Sequence, residues 1–133
     1  LKFNGVLSFV LPDEVSAPVG RVWDEVLREG AWVPVHWRLE VANALSMAVR
    51  TRRVDADFVV EAIADLSTCW IKTDSETVNQ SWAATLGLSR RHGLTLYDAA
   101  YLEQAVRRKL LLATLERELR TAAKAEGVAL MAI

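Results

Sequence analysis

The stretch GLTLYDAAYLEQAVRRKLLLAT, residues 93–114, decides how the chain is read. Gly93 stops one helix and Thr95 opens the next, because Thr95-Leu96-Tyr97-Asp98 resembles a capping box with Asp in place of the usual Glu. The pattern predicts a helix to about Lys109 and then a short apolar strand over 110–114. The alternation continues outward. Residues 116–126 read as a helix ended by Gly127, and 128–133 as a closing strand. On the other side, 75–92 reads as a helix, 69–71 as a short strand and 55–66 as a weaker helix. Over 38–50, Leu39, Ala42, Leu45, Ala48 and Val49 recur at helical spacing, and the apolar run 31–35 behind Gly30 reads as a buried strand. At the start, 16–28 is amphipathic and 4–11 is apolar up to Pro12, and both read as helices.

Short apolar strands separated by helices imply parallel strands joined by crossovers, hence an α/β fold of three layers with helices on both faces of a mostly parallel sheet. Ligands of such sheets sit at the carboxyl ends of the strands. The 133 residues make one domain, 1–133, since no Pro-, Gly- or Ser-rich stretch and no repeat divides them. With 52% hydrophobic and 25% charged residues the composition is that of a globular protein, and a net charge of −1 creates no global field for nucleic acid or membrane. A single cysteine, Cys69, excludes an internal disulfide and a zinc module and reads as buried and inert. No apolar run is long enough for a membrane span, and the start does not lead into a signal-peptide cleavage site, so a cytoplasmic protein is expected.

Three acids fall in one topological position. Glu40 follows the strand around Trp32 and Val33, Glu116 follows the strand over 110–114, and Asp98 lies in the first turn of the helix opened by Thr95. Each alone is explained by the helix dipole, worth about 0.3–1 kcal/mol to a first-turn carboxylate. Together, at one edge of a parallel sheet, they need a compensating positive charge, since like charges raise one another's pKa. A hard cation such as Mg²⁺ or Mn²⁺ suits an all-oxygen site and phosphodiester hydrolysis is the natural chemistry.

The segments 34–45, 93–102 and 112–119 resemble PIN-domain proteins of the VapC toxin type, in the right order and over most of the chain. The resemblance implies a Mg²⁺- or Mn²⁺-dependent endoribonuclease that acts on RNA, dimerises and is held inactive by a cognate antitoxin. It implies that Glu40, Asp98 and Glu116 match the family's second, third and fourth acids, and that Thr114, through its hydroxyl, and Asn4 support them. The first acid departs from the pattern. Counting back without gaps puts Asn4 on the family's Ser or Asn position and Lys2 on its Asp, and a gapped alignment with Phe3 or Asn4 there restores no charge. Either three acids hold one cation more weakly, or the Lys2 ammonium replaces the cation and leaves a catalytically impaired PIN-like binding module. A truncated or misassigned reading-frame start is a third route to the missing acid. A receiver-like phosphoacceptor domain shares the architecture, but the chain has neither its acid pair after the first strand nor its lysine near the last.

Other residues carry weaker expectations. The basic clusters Arg50/Arg52/Arg53, Arg90/Arg91/His92 and Arg107/Arg108/Lys109 complement helix C-termini or mark an RNA path. The five tryptophans are expected mostly in the core, and His36 and His92 have no carboxylate partner recognisable by spacing. The apolar residues 6–11 and 19–27 form either core or a groove for an antitoxin helix.

Overall fold

The computed structural model describes residues 5–8 and 17–131. Four strands, β1 (Gly5–Leu7), β2 (Ala31–Val33), β3 (Ile71–Thr73) and β4 (Leu111–Ala113), form an all-parallel sheet in the order β3-β2-β1-β4. Helix α1 (Ala17–Glu29) joins β1 to β2, and α2 (Trp37–Arg50) and α3 (Ala56–Thr68) join β2 to β3. The long return to β4 runs through α4 (Thr77–Gln80), a π-helical turn (Ser81–Thr85), α5 (Leu86–His92) and α6 (Leu96–Arg108). Right-handed crossovers put α1 to α3 on one face and α4 to α6 on the other, the expected three-layer α/β/α arrangement. Helix α7 (Arg117–Ala125) follows β4 and packs beside α6.

Local chemistry sets the element ends. Thr95 caps α6 by accepting a hydrogen bond from the Asp98 amide at 3.1 Å, and Asp55 caps α3 through the Phe58 amide at 2.9 Å. Gly93 ends α5 in the left-handed conformation, φ 65°. The core is mostly aliphatic and lies on both sheet faces: Val6, Leu7, Val22, Val26, Val33, Leu102 and Leu112 are fully buried.

The first element differs from expectation. Residues 5–7 form the central strand rather than a helix, with Gly5, Val6 and Leu7 paired to Leu111, Leu112 and Ala113 and Val6 also to Trp32. A strand covered on both faces is apolar throughout, and periodicity does not separate so short a run from a buried helix. Val6 and Leu7 are therefore core, as are Val22, Trp23 and Val26, so of the two readings of 6–11 and 19–27 these residues follow the core one, while Leu27 is exposed. An apolar cleft lies instead between α2 and α3, lined by Trp37, Val41, Leu45, Ile63 and Leu66. The strand expected at 69–71 begins two residues later, at Ile71. The expected closing strand over 128–133 is, through residue 131, a single parallel bridge of Leu130 to Leu112. Among the tryptophans, Trp23 and Trp37 are buried and Trp32 is partly buried against the core, but Trp70 and Trp82 are exposed.

Candidate functional site

Glu40 sits in the first turn of α2 and Asp98 in the first turn of α6, both at the carboxyl edge of the sheet as the alternation required. Tyr101, one turn beyond Asp98 and only 2% exposed, donates its hydroxyl proton to Glu40 Oε1. His36, at the N-cap of α2, brings Nε2 to 3.5 Å from the same Glu40 oxygen and 3.2 Å from the Tyr97 carbonyl. Its ring stands edge-on to those of Tyr97 and Tyr101, at 5.5 and 5.3 Å between centroids. Glu40 is thus bonded to the helix whose first turn carries Asp98.

Burial, opposed by a hydrogen bond with Thr95 and the charge of His36 and reinforced by the charge of Glu118, pushes the Asp98 carboxyl above its ordinary range. Burial and the Glu40 carboxylate push the Tyr101 hydroxyl far above its own, so it stays a donor. Glu116 is the exposed N-cap residue of α7, its backbone amide donating to Thr114 Oγ1 at 3.1 Å. Thr114 is fully buried directly behind β4. On α7 the charge of Glu118, two residues beyond Glu116, adds to the upward shift of Asp98. Among the described residues no three His, Cys, Asp or Glu side chains stand close enough together to ligate a metal as they are. The donor chemistry nevertheless fits a hard divalent cation: carboxylate oxygens at two helix starts, one of them held partly out of water.

Lys2 and Asn4 lie outside the described residues. The residue that follows β1 is Ser8, whose amide and hydroxyl both donate to the Ala113 carbonyl, at 3.1 and 3.0 Å. The end of β1 is therefore held by a serine.

Both histidines have carboxylate partners. His92 Nε2 lies 2.6 Å from Glu126, which also pairs with Arg91 at 2.6 Å, and the His36–Glu40 pair is an i,i+4 contact. Basic residues of the second and third clusters are likewise paired. Arg107 binds Asp74 and Glu103, and Arg108 binds Asp74 at 3.2 Å. Asp74 is fully buried after β3, where burial opposes its charge but the two guanidiniums hold the carboxyl below its usual 3.8. Cys69 is half-buried rather than fully buried, and burial with the charge of Asp65 raises its thiol pKa, which disfavours the thiolate.

No protein-family model matches the chain, and no curated protein does. Among solved structures the fold is similar to the crystal structure of PAE2754 from Pyrobaculum aerophilum, with a TM-score of 0.68 and 23% sequence identity over 92% of this chain and 87% of that one. At that identity the likeness is one of fold. Among the described residues no helix is long and apolar enough to cross a membrane.

Proposed function

We propose that the chain is a divalent-metal-dependent endoribonuclease of the PIN-domain, VapC toxin type, acting in the cytoplasm as a homodimer silenced by a cognate antitoxin. The observation that carries this reading is the Tyr101–Glu40 hydrogen bond, which holds the first-turn carboxylate of α2 against the helix whose own first turn carries Asp98, at the edge where open parallel sheets take their ligands. Glu40 and Asp98 hold Mg²⁺ or Mn²⁺, joined by Glu116 or its neighbour Glu118. The ion supplies Lewis-acid stabilisation of phosphoryl charge and a water of lowered pKa. Tyr101 and His36 orient Glu40, Thr95 fixes the start of the helix that carries Asp98, and Thr114 sets the turn into α7.

A second reading has its own observation. Ser8 at the end of β1 adds no negative charge to the site, which favours a catalytically impaired PIN-like binding module. Titration calorimetry with Mn²⁺ on the wild-type chain and on Asp98→Asn separates the two. The nuclease reading expects binding that the variant loses, followed by cleavage of RNA. A folded wild-type chain that takes up no Mn²⁺ at millimolar concentration sinks it and leaves the binding module.

A further inference from the structure

The strands β2 and β3 carry an arrangement that the acid edge does not use. Trp32 and Lys72 are register partners, so they stand side by side on the sheet face that Arg108, at the end of α6, approaches. Lys72 Nζ lies 4.9 Å from the Trp32 ring centre and 5.5 Å from that of Trp70, and Arg108 Cζ lies 3.7 Å from Trp32. Arg108, Trp32, Lys72 and Trp70 thus make one continuous run of cation–ring contacts, each within the roughly 6 Å at which such contacts attract. One end is anchored by the buried Asp74 carboxylate on Arg108. The other end is open, with Trp70 73% exposed.

The backbone of Trp70 is nonetheless fixed. Its carbonyl accepts the Ala31 amide at 3.0 Å, and Gly30, at φ +82°, lets the chain pass so close that a Cβ there would lie 2.2 Å from the Trp70 oxygen. An open indole on a fixed stretch of backbone has less freedom to lose when a flat partner stacks on it than one on a mobile loop. Among the described residues Lys72 forms no ion pair with a carboxylate, so its charge is left for an anion beside that ring. A stacking face with an adjacent unneutralised ammonium matches the base and phosphate of an unpaired nucleotide.

We propose that Trp70 and Lys72 form a docking platform for single-stranded RNA, the base stacking on Trp70 and its phosphate meeting Lys72. The choice of RNA rests on the ribonuclease reading. The test is fluorescence polarisation of a short fluorescein-labelled oligouridylate at low salt in EDTA, which keeps metal out of the acid edge. Trp70→Ala is expected to weaken binding roughly tenfold, while Trp70→Phe retains most of it. Lys72→Ala is expected to weaken it and to flatten its salt dependence. Trp82→Ala, which removes a 92% exposed ring from the π-helical turn, is expected to leave it unchanged. Equal affinity of wild type and Trp70→Ala, or no binding by wild type, overturns the proposal. So does sedimentation in which Trp70→Ala converts a dimer to a monomer, since a second copy then covers the ring. Loss of RNA binding with Mn²⁺ binding intact defeats the platform alone. RNA binding by a chain that takes up no Mn²⁺ defeats the nuclease reading and leaves the platform.

Discussion

At the scale of single residues, the Tyr101 hydroxyl donates to Glu40 and is buried enough to leave water little access. Groups that orient a metal ligand from behind typically carry 10–100-fold in metal affinity. Tyr101→Phe keeps the ring and removes the bond, so Mn²⁺ affinity by calorimetry is expected to fall about tenfold or more while the far-UV spectrum stays unchanged. Unaltered affinity would show that Glu40 needs no such support. Asp74 gives a pH prediction. Its carboxyl is held below the usual 3.8, so the folded chain binds its proton less readily than the unfolded chain. The stabilisation is complete above about pH 4 and is lost as pH falls through the lower, folded value. In Asp74→Asn two guanidiniums lose their carboxylate, at a cost of roughly 3 kcal/mol at neutral pH. Thermal unfolding across pH should show wild type losing its advantage over the variant below about pH 4, and a constant difference would contradict this assignment.

Elements differ in how openly the sequence declares them. Helix α6 is legible because its signals are local: Gly93 before it, Thr95 reaching the Asp98 amide, and Lys109 closing it at φ 57°. Strand β1 has no such signal, since its three residues become a strand only through β2 and β4, and the pairing of Leu7 with Ala113 spans most of the chain. The site divides in the same way. Glu40 and Asp98 follow from their first-turn positions, whereas the Tyr101 bond joins residues 61 apart and only the packed fold reveals it. That the charge of Glu118 bears on Asp98 follows from the packing of α7 against α6, which no local signal in the sequence announces. At the β2–β3 contact, Gly30→Ala would force a left-handed non-glycine residue and drive a Cβ into the Trp70 carbonyl. The backbone conformation alone costs about 1–2 kcal/mol. The expected result is a clear drop in thermal midpoint together with weaker oligouridylate binding, because Trp70 is moved. A variant as stable as wild type would mean that the two strands separate without cost.

Across the whole molecule, the strand order decides which positions can share an ion. The central strand β1 lies between β2, whose exit leads to Glu40, and β4, whose exit leads to Glu116 and Glu118. The residue that leaves β1 therefore enters the carboxyl edge between the two acidic turns, and that residue is Ser8. If the acids around it hold a hard cation, adding one carboxylate there should strengthen binding, since affinity for such ions rises with the count of charged oxygen ligands. Ser8→Asp is expected to raise Mn²⁺ affinity about tenfold, even though it gives up the hydroxyl bond to Ala113, a loss of about 1 kcal/mol. Ser8→Asn, similar in size and without the charge, should bring no gain. If the repulsion among Asp98, Glu118 and the carboxylate introduced by Ser8→Asp has no ion to relieve it, the substitution will instead lower the thermal midpoint, and added Mn²⁺ will not restore it. That second result would place the chain among binding modules built on this fold, with the carboxyl edge serving shape and partner contacts rather than hydrolysis.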